Sequence, residues 1–230
     1  KYMPTVGNLG LDMMHCSATT QVNLDYRDED DYSKKFQVSM ALQPLVSAMF
    51  FNSPFQHGKP TGLLSNRLRV WADTDNDRCG YLPFALKSNN KFEDYAYYAL
   101  DVPMYFITRN GVNIVPNHMT FRNYLYNGFI DNDGKEYSAT INDWETHLST
   151  LFPQVRLKKF LEMRGTDSGD HNSILSLAAI WTGLMYNSKV LDEAHAMISK
   201  WTYYDVLDLE QCLNKDGLNA SFNGYFVIDL

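Results

Sequence analysis

The chain has 230 residues, with 20 Lys and Arg against 27 Asp and Glu, a net charge of −7, and 45% apolar, 14% aromatic and 20% charged residues. That composition supports a core and excludes a disordered chain, and the scattered basic residues form no stripe for a phosphate backbone, so no nucleic acid partner is expected. No run approaches the roughly 18 consecutive apolar residues of a membrane span, so no membrane partner is expected either, and Cys16, Cys79 and Cys212 lack the spacing of a zinc site or a disulfide framework.

The opening KYMPTVGNLGLDMMH reads as the middle of a domain, so further sequence is expected upstream of Lys1. From Thr19 to Asp25 the run TTQVNLD alternates with period two, which predicts a strand carrying Gln21 and Asn23 on one face. After the acidic turn RDEDD, residues 32–51 show a long apolar helical pattern closed by Asn52, Ser53 and Pro54, with Pro44 inside it expected to kink or split the helix. Between Pro54 and Pro83 the chain is rich in Gly, Pro, Asn and Asp and reads as a functional loop.

A helix is predicted at 91–100 and a strand at 102–108, with Asn110-Gly111 as a turn and a returning strand at 112–115. Helical patterns recur at 120–126 and 142–151, the latter opened by Asn142 with Glu145 three residues on. A strand at 156–164 and helices at 173–186, 190–201 and 203–213 complete one continuous α+β unit without internal repeats.

In KKFLEMRGTD, Glu162 and Arg164 are two apart on a strand and emerge on one face. A carboxylate beside a guanidinium suits a site that handles Mg²⁺ and a moving phosphoryl group, and it equally suits a structural ion pair at a sheet edge. The amides of Gln21 and Asn23 either meet a nucleotide or metal or close a buried hydrogen-bond network. In GLLSNRLRVWADTDNDRCG, Arg67 can fork onto a substrate carboxylate, and Trp71 can offer its indole N–H and a wall. Asp73, Asp75 and Asp77 alternate like a calcium loop, but Arg78 stands where that loop needs Gly and Phe84 where it needs Glu, so they are expected to organise turns. The six histidines have no metal-ligand spacing, and no P-loop, GxGxxG or GxSxG motif is present.

The ordered set MPTVGNLGLDMM, TTQVNLD, ALQPLVSAMFFNSPF, GKPTGLLSNRLRVW, DTDNDRCG, YALDVPMYF, MTFRNYL, DWETHLSTLFPQVRLKKFLEMRGTD and WTGLMY resembles the plant and proteobacterial type of glutamate–cysteine ligase over roughly residues 2–190, and the remaining tail resembles it loosely. The resemblance implies an α+β, glutamine-synthetase-like antiparallel sheet with flanking helices, lacking its N-terminal part, with residues 1–230 as one catalytic region. It implies ATP-dependent joining of the L-glutamate γ-carboxylate to the L-cysteine amine through γ-glutamyl phosphate, with Mg²⁺ as cofactor and ATP as co-substrate. On the matching positions it makes Glu162 a metal ligand and catalytic residue, Arg164 a phosphate-facing catalytic residue, and Gln21 and Asn23 the strand pair near metal and nucleotide. Arg67 and Trp71 would grip glutamate, and Tyr105 would line the cysteine pocket.

Plant members clip a hairpin between the MYF and DWE motifs with a cysteine pair, whereas this chain has no cysteine between Cys79 and Cys212. No thiol switch of that kind is expected, and a bacterial cytoplasm is expected over a plastid. Family members also carry an acidic segment upstream of the MPTVG motif that completes the metal and nucleotide site. Two alternatives stay open: a non-catalytic ligand-binding or interaction remnant of the same fold, and a carboxylate–amine ligase with another amine acceptor.

Overall fold

In the computed structural model, which describes residues 2–229, a short helix α1 (Gly10–Cys16) leads into strand β1 (Val22–Leu24). Helix α2 (Glu29–Ala48) follows, capped by the Asp28 carboxylate, which accepts the Asp31 N–H, and with Glu29, Asp30 and Asp31 placed where the helix dipole favours negative charge. Residues 35–44 are buried without interruption, so α2 is covered on every side and forms the centre of the largest apolar cluster. The expected split at Pro44 does not occur: the helix runs through it. Pro44 withholds one N–H from the ladder, and close packing around this stretch holds the helical path.

The segment expected as a loop between Pro54 and Pro83 contains a two-stranded hairpin, Phe55–Gln56 with Lys59–Pro60, and helix α3 (Asn66–Ala72). Helices α4 (Phe92–Asp101) and α5 (Phe121–Asn127) flank a second hairpin, Ile107–Arg109 with Val112–Ile114, turned at Asn110 and Gly111 with positive φ at both. The expected strand at 102–108 is therefore shorter and starts at Ile107. Helix α6 (Ile141–Ser149) begins one residue before the expected Asn142, because Thr140 and Asp143 form its capping box. This region has its own core of Met104, Ile107, Phe121, Tyr124, Phe129 and Tyr137.

The expected strand at 156–164 is divided into β2 (Val155–Leu157) and β3 (Leu161–Met163), which pair antiparallel, and β3 pairs antiparallel with β1 on its other side. The turn between them is Lys158-Lys159-Phe160, which carries no Gly, Pro or Asn to announce it. Helices α7 (His171–Tyr186), α8 (Ser188–Ile198) and α9 (Tyr203–Asp216) complete the chain's helical half, with α9 lying along α2. The mixture of helices with small, mainly antiparallel sheets is α+β.

Candidate active site

Ser65 starts α3: its hydroxyl oxygen accepts the Leu68 N–H and its hydroxyl donates to the buried Asp167 at 2.9 Å. Asp167 also accepts from Ser53 Oγ at 2.7 Å and from the Asn52 N–H at 2.8 Å, so one carboxylate ties three turns together. From that fixed start, Arg67 and Trp71 project four residues apart on one face of α3, the guanidinium carbon 5.5 Å from the indole ring centre. Arg67 donates Nη1 to the Gly165 carbonyl and Nη2 to the Arg164 carbonyl, both at 2.8 Å. A Cβ on Gly165 would lie 2.7 Å from both Gln154 Oε1 and Gln43 Nε2, so a larger residue there would have to displace these two side-chain ends.

Two donors in this wall are unsatisfied. The buried Arg67 Nε and Trp71 Nε1 have no hydrogen-bond partner, and Arg67 has no carboxylate at ion-pair distance among the described residues. Burial pulls the Arg67 guanidinium down to about 10, still charged at neutral pH. Buried donors without acceptors are costly, and both of these stand in the wall of a cavity.

Arg67 and Trp71 border a cavity of about 290 Å³, shared with Arg164, Gln154, Tyr81 and Glu210. Its size suits a small metabolite. Tyr81 donates its hydroxyl to Glu210 Oε2, and burial pushes the Glu210 carboxyl up to about 7 against the pull of Tyr81 and Arg67. Cys79 also borders the cavity, but burial pushes its thiol up to about 12, which leaves it inert as a nucleophile.

Glu162, Arg156 and Asn23 lie in one row across β3, β2 and β1. Glu162 Oε2 accepts from Arg156 Nε and Arg164 Nη1, each at 2.7 Å, and Lys158 Nζ stands 3.6 Å from Oε1. Burial pushes the Glu162 carboxyl up, but the hydrogen bonds and charges of Arg156 and Arg164 outweigh it and hold it below the usual carboxylate range. Arg164 thus links two places, reaching Glu162 while lining the cavity. Gln21 and Asn23 are exposed, outside the cavity wall.

Tyr105 is not brought to this cavity. Its ring lies under Arg78, 3.5 Å from the guanidinium carbon, and its hydroxyl donates to Asp75 at 3.2 Å. Asp75 accepts Arg78 Nε at 2.6 Å and the Asp77 N–H at 3.3 Å, so it organises its own turn as Asp readily does, whereas Asp73 accepts the Asn8 backbone and side chain and ties its loop to the start of the chain.

Sequence reasoning missed Glu210, Tyr81 and Gln154. The available signal was the spacing of Tyr203, Leu207 and Glu210, which share one face of α9 and all line the cavity.

The profile of glutamate-cysteine ligase family 2 matches residues 1–221. The match extends past residue 190 to residue 221, so it takes in most of the tail that the motifs matched only loosely. The chain is 46% identical over 229 residues to glutamate–cysteine ligase B, chloroplastic, of Oryza sativa subsp. japonica, covering 100% of this chain and 46% of that protein. It is 49% identical over 221 residues to the chloroplastic glutamate–cysteine ligases of Brassica juncea and Arabidopsis thaliana, covering 96% of this chain and 43% and 42% of theirs. The chain spans less than half the length of the relatives it matches. The expectation of a bacterial cytoplasm is overturned by these relatives, which are chloroplastic and point to a plastid instead.

Proposed function

Since the chain belongs to glutamate-cysteine ligase family 2, we propose that it forms, as one catalytic region over residues 1–230, part of an enzyme that joins L-glutamate to L-cysteine at the expense of ATP, the first step of glutathione synthesis. The observation that carries the reading is the buried Arg67, without a carboxylate partner and with Nε unsatisfied, in the wall of the 290 Å³ cavity. An amino-acid carboxylate resolves that deficit by accepting from the guanidinium, with Trp71 Nε1 as a further donor. Held there, glutamate presents only its γ-carboxylate to ATP.

The γ-carboxylate oxygen attacks the terminal phosphorus of ATP, ADP leaves, and γ-glutamyl phosphate forms. The cysteine amine then attacks the acyl carbon, phosphate departs, and the amine loses a proton. Arg164 lies at the cavity edge, where its charge offsets that of the transferred phosphoryl group. Gln21 and Asn23 offer their exposed amides to the nucleotide. Tyr105 would meet cysteine through its ring edge, because its hydroxyl is engaged by Asp75. The sheet β1-β3-β2 is read as a piece of the larger glutamine-synthetase-like funnel.

Mg²⁺ belongs to the same expectation, but the donors in this chain do not fit it. Glu162 is held by two guanidinium groups, and among the described residues Gln21 has no hydrogen bond to it and no three His, Cys, Asp or Glu side chains converge. No step here is routed through a metal. The test is formation of γ-glutamylcysteine with release of ADP, followed by mass spectrometry and a coupled ADP assay with L-glutamate, L-cysteine and ATP. Dipeptide and ADP in equal amounts support the ligase; ADP release without dipeptide contradicts it.

A further inference from the structure

The cavity wall has two poles. Arg67 and Arg164 lie on α3 and just past β3; Glu210 lies on α9, beside Tyr203 and Leu207. Glu210 is the one acidic side chain that lines the cavity among the described residues. Tyr81 fixes its Oε2, while Oε1 has no hydrogen-bonded partner among the described residues. A wall of cations alone would bind any dicarboxylate. An α-amino acid differs from a plain dicarboxylate by its ammonium, and only an acceptor of suitable charge can read that difference.

We propose that Glu210, oriented by Tyr81, receives the α-ammonium of the amino-acid substrate, while Arg67 receives the α-carboxylate on the same carbon. The assignment rests on the reading of this cavity as the glutamate subsite. It makes Glu210 the residue that selects an amino acid over a dicarboxylate lacking the amino group. Burial pushes the Glu210 carboxyl up to about 7, and an ammonium placed at Oε1 favours its charged form.

The test uses two probes, L-glutamate and glutarate, which lacks only the amino group, titrated calorimetrically into the wild type, Glu210→Gln and Arg67→Lys. The wild type is expected to prefer L-glutamate by about tenfold or more, the scale of one charge-assisted contact. Glu210→Gln is expected to erase the preference by weakening L-glutamate alone, with unchanged glutarate binding proving that the variant is folded. Arg67→Lys is expected to weaken both ligands. Equal weakening of both ligands in Glu210→Gln, or a wild type without preference, overturns the role of Glu210 and leaves the subsite standing. A folded wild type that binds neither ligand, or an Arg67→Lys variant that binds both as well as wild type, overturns the subsite reading and the proposal with it.

A second readout needs no variant. The groups facing Glu210 are Tyr81, Arg67 and Tyr203, with Arg164 and Cys79 further along the wall. Helix α2, which packs on α9 through Leu45 and Ala48, has no titratable side chain between Phe36 and Ala48. Burial places Arg67 at about 10 and Cys79 at about 12, leaving Glu210 to titrate near 7. L-glutamate affinity is expected to fall about tenfold per pH unit below 7, and glutarate affinity is not. Parallel profiles for the two ligands would overturn the proposal.

Discussion

Two buried arginines eleven residues apart, Arg67 and Arg78, show opposite bookkeeping. Arg78 is fully buried and its fork is saturated: Nε meets Asp75 at 2.6 Å, Nη2 meets the Pro103 carbonyl at 2.6 Å, and Nη1 meets Thr150, with the Tyr105 ring stacked against the plane. Arg67 is buried almost as deeply, yet among the described residues it has no carboxylate at ion-pair distance and keeps an idle Nε. A guanidinium whose donors are all engaged by protein belongs to the architecture. One left short of acceptors beside a cavity is the one the proposed function assigns to a ligand.

The largest effect should come from breaking the saturated partner. Arg78→Ala leaves Asp75 buried and unpaired, and is expected to lower unfolding free energy by about 3–5 kcal/mol, measured by urea denaturation. If Arg78→Ala costs under about 1 kcal/mol, saturation is no guide to structural weight.

Next in size is an acid effect on the same anchor. His147 lies under it: its carbonyl accepts the Thr150 hydroxyl that also meets Arg78, and burial lowers its imidazole to about 4. The folded state resists protonating His147 while the unfolded chain protonates it near the ordinary value, so stability is lost as pH falls below the unfolded value. The loss should reach about 3 kcal/mol by the folded value. His147→Gln should flatten that part of a stability profile taken from pH 7 to 4; an unchanged slope would assign it elsewhere.

Smaller effects sharpen the ligand side. Trp71→Phe keeps a ring beside Arg67 and deletes the idle N–H, so glutamate should bind about fivefold more weakly at nearly constant stability. Tyr105→Phe removes the hydroxyl that meets Asp75 and the Met3 sulfur, so stability should fall by about 1 kcal/mol or less, with glutamate binding unchanged. A strong loss of glutamate binding in Tyr105→Phe would join the two arginine environments into one site.

The long helices were legible because their signals are redundant: α2 has an acidic start and a continuous apolar run, and α7, α8 and α9 lie within a few residues of expectation. Helix α3 was hidden because two of its buried residues, Asn66 and Arg67, are polar, so its inward face does not read as hydrophobic. Its cap, Ser65, was visible in the sequence; the partner that gives the cap its position, Asp167, is a hundred residues away. The division of β2 from β3 had no turn residue to mark it, and the polar pole at Glu210 looks like an ordinary solvated helix position until α9 is seen against the cavity. Motif spacing singled out Arg67, Trp71 and Arg164; which of their donors lacks a partner is a property of distances that only the folded chain supplies.

The most direct measurement is calorimetric titration of L-glutamate into the wild type, Arg67→Lys and Arg78→Lys, with urea denaturation of all three. Arg67→Lys should bind glutamate about 100-fold more weakly, because lysine cannot reproduce the fork, while remaining stable enough to be fully folded at the titration temperature. Arg78→Lys should lose stability and, where folded, bind glutamate normally. Glutamate binding that survives in Arg67→Lys, or that is lost only in Arg78→Lys, would contradict the assignment of the unsaturated arginine to the ligand.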